Sequence, residues 1–594
     1  MEQNEVRSSV EIAGGVPMLF VNGRPFAAAA YMTYLEEYND YAAFADAGYR
    51  LFSVPVLCAG RWINAAVEGR PFHRGVFDEK GAPDYSHLDA SVRRILSVCP
   101  EAYIFPRLNL AAPKWWIAER PGDLDGTRRR ESLFSPAYRM LAEEMLRGVI
   151  RHVEKSDYAG HIVGYQLAGG NTEEWFHFNL NGGCCESAQI AFHVYLQTHA
   201  PAFAGAGMPD LSLLQSPGPY HGSGLMRLYL EFASRAVAEL IGSLCAAAKR
   251  ETGGRLAVGT FYGYSLEVSS PLWGTHALKA LLESESVDFI CSPNSYINTR
   301  APHADWTEMY PAASVRAHGK LCMQECDIRT HLTRPLWQSA PEHDPEKRYT
   351  APIWQGLPRR EDAVQMLRKT FCRQLIAGNG FWWFDMWGGW YRDPVLLAEL
   401  ERMRSIYETS LALPARGSIA SFAVFIDESA YAYFTDCPLR GAPFGQREPL
   451  GLTGAPYDLF DVFDFGDVYR RYKAVLFLCA AETPAAASAK ALCRETGLPY
   501  LSLSEENLRF SAPALRAFLE TAGVHIYCKT DDLLYVNRHF LAVHACAAGE
   551  KTVILPHPRA YRALLPENGP AGAGDTIRLF MRENETLLFR LTDA

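Results

Sequence analysis

The chain has no surplus of positive charge, no long apolar run and no clustered cysteines, and each shortage removes a class of function. Lys and Arg number 58 against 67 Asp and Glu, a formal net charge of −9. There is therefore no basic stripe to bind a nucleic-acid backbone or an anionic membrane surface. Nothing approaches the ~18 uninterrupted apolar residues of a membrane-spanning helix. The opening residues, MEQNEVRSSVEIAGG, carry neither the positive start nor the apolar core of a secretory signal, so a cytoplasmic protein is expected. The 14 cysteines are scattered, with Cys184 beside Cys185 and Cys322 near Cys326. No C-x-x-C meets a second one or a histidine cluster, so reduced thiols, no metal and no other cofactor are expected.

What the chain does have is length and an ordinary globular makeup, 48% hydrophobic and 21% charged. Its 594 residues exceed a single core, which calls for one large domain and one or two smaller ones. A hairpin is expected around Asn22-Gly23-Arg24. Strand-like runs at 26–34, 49–56, 102–110, 161–168, 255–261, 287–293, 320–325 and 380–385 follow. Helix patterns alternate with them at about 38–47, 87–99, 136–156, 187–199, 223–250, 275–284, 304–318, 360–377 and 394–410. Eight strand-then-helix units are the count of a (β/α)₈ barrel, expected over residues 1–414. After Leu413-Pro414-Ala415-Arg416-Gly417 the pattern changes. Short apolar strands with Ala-rich helices suggest a small open α/β domain over 415–530, and strands without helices suggest a β-sandwich over 531–594.

Glu174 and Glu325 each close one of the apolar runs, HIVGYQLAGGNTEEW and KLCMQEC. Acids at the ends of distant barrel strands converge at the carboxyl-terminal mouth, where such barrels keep their chemistry. Two carboxylates across a sugar suffice to break a glycosidic bond. Glu173 competes with Glu174: along an extended segment only one of two neighbours can point into the mouth, and the other would face solvent or cap the following helix. Burial against an aromatic such as Trp175 would raise a carboxyl pKa, as a general acid needs. Aromatics crowd the mouth, with Trp115, Trp116, Trp175, Trp382, Trp383, Trp387 and Trp390 near strand ends. Of Trp382 and Trp383 one should face inward, and Trp383 is our choice. Asn109, Asn171, Asp385 and Arg107 are candidates to hold sugar hydroxyls. Arg107 or Arg329 would add positive charge beside Glu325. The long polar segment 327–358 reads as a lid or a subunit contact.

The runs GYQLAGGNTEEW, QECD and FWWFDMWGGW resemble the clan A glycoside hydrolases. The layout of barrel, flavodoxin-like (amidotransferase-like) α/β domain and small β-sandwich resembles the family 42 β-galactosidases and the related family 164 β-mannosidases. The resemblance implies a retaining exo-acting β-glycosidase, galactoside first and mannoside next, with Glu174 as acid/base and Glu325 as nucleophile. It also implies Tyr296 as the clan's hydrogen-bond donor to the nucleophile, although Tyr296 can equally be an ordinary strand-end aromatic. A homo-oligomer, trimer or dimer, built through the α/β domain is implied as well. One departure stands out: the clan places Asn directly before the acid/base Glu, whereas Thr172 and Glu173 here separate Asn171 from Glu174. Two further readings are an inactive carbohydrate-binding or sensing protein on this scaffold, and separate chemistry at Cys479, which lacks the G-x-C-x-G elbow that would expose it.

Overall fold

A computed structural model of the chain describes residues 5–63, 70–125, 129–178, 185–211, 224–296, 300–433 and 438–593; Cys184 lies outside them. Eight parallel strands close into a barrel: β1 (Ala29–Met32), β2 (Leu51–Leu57), β3 (Tyr103–Asn109), β4 (Gly164–Ala168), β5 (Ala257–Phe261), β6 (Phe289–Pro293), β7 (Leu321–Cys326) and β8 (Gly380–Phe384). Closure comes from β8 pairing with β1, Phe381 opposite Ala29 and Trp383 opposite Tyr31. Every residue of β2 and β7 is buried. That is why these strands read as continuous apolar runs: helices cover the outer face while side chains fill the inside.

The helix Pro136–Glu154 shows how the outer ring is specified. Ser135 caps it by accepting from the Tyr138 amide, and Pro136 supplies a preset first turn. Tyr138, Leu141, Met145, Leu146, Val149 and Val153 recur at helical spacing and are all buried. Each such side chain contributes ~1.5–3 kcal/mol, and Leu146→Asp would bury an unpaired charge there. Three expected helices are shorter than their patterns, the one at 38–47 spanning only Tyr41–Asp46. The one at 304–318 is confined to Ala312–Ala317 because Pro311 and Pro302 hold the upstream backbone out of helix. The one at 275–284 spans Leu278–Leu282, and its first amides are received by the Glu428 carboxylate from the following α/β unit.

The amino-terminal segment adds a three-stranded antiparallel sheet, Ser8–Ala13, Val16–Val21 and Arg24–Pro25. The expected turn is present: Asn22 and Gly23 both have positive φ, the two-residue turn whose twist suits a hairpin. Ser8 binds the chain just ahead of β4 and β5, its amide donating to the Arg255 carbonyl at 2.8 Å and its hydroxyl to that of Val163. This sheet therefore covers the amino-terminal end of the barrel and leaves the carboxyl-terminal mouth for chemistry.

Beyond the barrel, four parallel strands, β9 (Phe422–Ile426), β10 (Asp458–Asp461), β11 (Ala474–Phe477) and β12 (Tyr500–Ser502), form a sheet in the order β10-β9-β11-β12. That is the flavodoxin-like order. The strand Asp458–Asp461 escaped the sequence reading because DLFD offers two apolar residues between two acids. The last unit is an antiparallel sheet of β13 (Leu533–Val536), β14 (Phe540–His544), β15 (Gly549–Leu565), β16 (Ala571–Met581) and β17 (Thr586–Asp593), ordered β13-β14-β17-β15-β16. A register shift between Ile554 and Arg559 bends β15. Leu534 and Val536 of one edge thus share a core with Ile577, Leu579 and Met581 of the other. The Tyr535 hydroxyl donates to Asp305 (2.9 Å), which also pairs with Arg373 of the barrel (3.1 Å), tying this sheet to the barrel wall.

Candidate active site

Glu325 is the fifth residue of β7, opposite Pro293 and Trp382, and so stands at the carboxyl-terminal mouth. Glu174 reaches the same place by another route. After β4 the chain folds into a tight turn, held by Trp175 N–H to the Gly169 carbonyl (2.8 Å) and Asn171 N–H to that of Phe176 (2.9 Å). Gly170, Thr172, Glu173 and Trp175 all have positive φ, between 59° and 70°. Three of these four are not glycine, an arrangement that costs roughly 1–3 kcal/mol per residue and collects at functional sites. Gly169 must stay small, because a Cβ there would lie 2.6 Å from the Trp175 ring.

The turn corrects the expectation for the neighbouring acids. The segment is not extended, so Glu173 is neither solvent-facing nor a helix cap. It is 1% exposed, accepting from Asn109 Nδ2 (3.0 Å), from the Tyr34 hydroxyl and from Arg107 Nη1 (3.4 Å). Glu174 instead lines the pocket at the mouth together with Glu325. The Thr172 hydroxyl donates to its Oε2 at 2.6 Å, and the Tyr264 hydroxyl faces it.

The pocket has a volume of about 300 Å³. Tyr34, Phe72, Phe384 and Met386 form part of its wall, with Trp62 and Ile63 from the β2 loop. Tyr349 and Trp354 of the segment 327–358 close one side, packed with Trp387 at ring-centroid distances of 5.5 and 5.6 Å. Arg107 donates to Glu325 Oε2 at 2.7 Å and to Gln166 at 3.0 Å, with its guanidinium over the rings of Phe261, Trp382 and Phe384. Burial pushes the Glu325 carboxyl up to about 7 against the pull of Arg107, with Asp327 adding to the rise. Burial also pushes Glu174 up to about 8, opposed by the Thr172 hydrogen bond and reinforced by Glu325. Burial thus lifts both carboxyls towards neutrality, with Arg107 opposing the rise at Glu325 and the Thr172 hydroxyl opposing it at Glu174.

Several sequence expectations land elsewhere. Trp383 faces outward, its indole donating to the Tyr49 hydroxyl at 2.8 Å, and it is Trp382 that faces the barrel interior. Trp175 is fully buried and anchors the turn through Thr260 Oγ1 (2.9 Å) rather than meeting a ligand. Asn109 serves Glu173, and Asn171 sits within the turn without lining the pocket. Asp385 is buried and accepts from the Tyr31 hydroxyl (2.8 Å) and the Trp390 amide (3.0 Å), so it fixes the loop carrying Trp387. Tyr296 lines the pocket, but its hydroxyl donates to Asp327 at 3.0 Å instead of to Glu325. Arg329 likewise pairs with Asp327, at 2.6 Å. Trp115 and Trp116 do not line the pocket, the former donating to the Phe77 carbonyl. Cys479 is buried, and burial holds its thiol well above the usual range, the opposite of a reactive nucleophile.

Tyr34, Trp62, Phe72 and Tyr264 were not picked out in the sequence. The one available signal was position: Tyr34 and Tyr264 follow barrel strands at the mouth end, whereas nothing marks Phe72. Among the described residues no group of three or more His, Cys, Asp or Glu is arranged to hold a metal ion. No helix among them is long and apolar enough to cross a membrane.

No family model matches the sequence, and no curated protein sequence is similar to it. Solved structures are. A β-galactosidase from Bacillus circulans sp. alkalophilus superposes with a TM-score of 0.61 at 12% identity, over 95% of this chain and 98% of its own. A GH42 β-galactosidase from G. stearothermophilus gives 0.61 at 12% identity, over 98% and 99%. An exo-carrageenase GH42 from Bacteroides ovatus gives 0.60 at 12% identity, over 100% of this chain and 85% of its own. In fold, then, from the closed eight-stranded barrel through the α/β sheet to the antiparallel sheet, the chain resembles the family 42 glycoside hydrolases of clan A.

Proposed function

We propose that the chain is a retaining, exo-acting β-glycosidase. The observation that carries the proposal is that Glu174 and Glu325, from different strand ends, line one aromatic pocket at the barrel mouth. Glu325 attacks the anomeric carbon while Glu174 protonates the departing oxygen, giving a glycosyl-enzyme and the free aglycone. Glu174, now ionised, takes a proton from water, which attacks the same carbon and releases Glu325. Trp354, Trp387 and Tyr296 offer planes for the C–H faces of the sugar. Arg107, among the described lining residues, is already engaged with Glu173 and Glu325, which favours a neutral sugar over a sulfated or carboxylated one. A β-galactoside is the first candidate and a β-mannoside the second.

A homo-oligomer, trimer or dimer, and a division of the chain near residues 414 and 530 belong to the same proposal. Light scattering and limited proteolysis test them. The activity is tested by a panel of aryl β-glycosides with wild type and Glu325→Ala. Hydrolysis of one neutral glycoside by wild type and its loss in the variant supports the reading; equal rates in both remove Glu325 from the mechanism, and binding without turnover turns the reading to a carbohydrate sensor.

A further inference from the structure

Arg107 stands between two carboxylates, not one. Its Nη2 donates to Glu325 at 2.7 Å, while its Nη1 reaches Glu173 at 3.4 Å and the Tyr34 oxygen at 3.2 Å. Arg107 and Glu173 are each 1% exposed, and Glu325 is 5% exposed. Glu173 is held in place from two directions, by Asn109 Nδ2 at 3.0 Å and by the Tyr34 hydroxyl, and the left-handed turn at Thr172 and Glu173 delivers it there. One guanidinium therefore serves two anions in a low-dielectric interior, where a full ion pair between Arg107 and Glu325 alone would hold the attacking carboxylate strongly and blunt it.

We propose that Glu173 is a positioning residue that fixes Arg107 and takes up part of its charge, so that the guanidinium is shared between Glu173 and Glu325 instead of pairing with Glu325 alone. The inference rests on Glu325 being the nucleophile of the proposed reaction. It accounts for an acid placed where the clan resemblance leads one to expect Asn beside the acid/base residue.

The other charged groups around Glu325 do not supply this function. Asp327 lies beyond it on the same strand end and raises its proton affinity more than Glu173 does, but pairs with Arg300 and Arg329 rather than with Arg107. Glu174 faces it across the pocket and is itself the group raised by Glu325. Tyr34, Tyr264, Cys291 and Cys326 surround it as neutral groups, burial holding each well above its ordinary value. From β8 it meets Trp382, which has no charge. Glu173 is the acid that competes for the same guanidinium.

Glu173→Gln removes the charge and keeps the shape; Glu173→Asp keeps the charge. Two readouts apply: the acid limb of kcat/KM, and the carboxyl titration of Glu325 followed by ¹³C NMR on glutamate-labelled protein, assigned by its loss in Glu325→Gln. With Glu173→Gln both midpoints should move down by about one pH unit. At pH 5.5 kcat/KM relative to its plateau should then rise roughly tenfold over wild type. Glu173→Asp should leave the midpoints within a few tenths of a pH unit of wild type. A folded Glu173→Gln whose midpoints stay put overturns the proposal. Glu173→Met, neutral and of similar length, gives the same reading if the Gln variant does not fold; if neither neutral variant folds, Glu173 is a fold determinant and the proposal falls. The NMR titration needs no substrate, so an absence of glycosidase activity would defeat the proposed function while still deciding the part played by Glu173.

Discussion

Glu173 and Glu174 are consecutive in sequence and end in different surroundings. Glu173 is sealed beneath the mouth against Arg107, Asn109 and Tyr34, whereas Glu174 opens onto the pocket that holds Glu325. A single turn with three non-glycine residues of positive φ produces the separation, and with it two acids of equal chemistry acquire unequal tasks.

Loss of either pocket acid should stop turnover in distinguishable ways. Glu325→Gln should lower kcat by roughly 10⁴-fold or more, as removal of a nucleophile does. Glu174→Gln should cost roughly 10²–10⁴-fold with a poor leaving group, and far less with dinitrophenolate, which departs without a proton. Steady-state rates on a pair of aryl glycosides check this; an equal loss on both would deny Glu174 the acid role.

The two proton affinities define the pH window. Glu325 must be ionised, so activity should climb as pH rises through about 7, and Glu174 must be protonated, so activity should fall as pH passes about 8. A bell centred between the two is expected for kcat/KM from pH 5 to 10. A flat profile over that range would contradict the assignment.

The raised carboxyl of Glu174 also makes a stability prediction. Its folded-state value of about 8 lies above the ordinary 4.5, so the stability this group contributes is complete below about 4.5 and is lost as pH rises through 8. Glu174→Gln should unfold at the same temperature as wild type at pH 4 and be more stable at pH 9, by up to about 5 kcal/mol. Thermal melts at the two pH values decide it, and a less stable variant at pH 9 would mean that the ionised acid is well solvated.

Trp354 and Trp387 pack at a ring-centroid distance of 5.6 Å and share the pocket wall. Replacing either by Ala should raise KM about tenfold while kcat changes little, and the double variant should lose less than the product of the two because the rings brace each other. An unchanged KM in both single variants would remove them from the sugar site.

The barrel was legible because its signal is local and repeated: runs such as LFSVPVL and GFWWF are largely apolar on both faces, and the helices between them carry their own spacing and caps. Glu325 followed from its place at the end of such a run. What stayed hidden depends on backbone torsion or on distant partners. Period-two alternation along an extended strand end cannot anticipate the turn at Thr172, Glu173 and Trp175, so Glu173 was left without its guanidinium. The inward choice between Trp382 and Trp383 depends on pleat register, which one residue reverses. Asp385 and Asn109 are polar residues at the mouth that bind protein groups, Tyr31 with the Trp390 amide in one case and Glu173 in the other. Nothing in their residue type distinguishes a ligand contact from a brace.

The most direct test of the central claim is to trap the covalent intermediate. Incubation with a 2-deoxy-2-fluoro-β-glycoside of the accepted sugar, followed by peptide mass spectrometry, should place one fluoroglycosyl unit on Glu325, with Glu173 and Glu174 unmodified. A label on another residue, or turnover with inversion at the anomeric carbon and no label at all, would contradict the account.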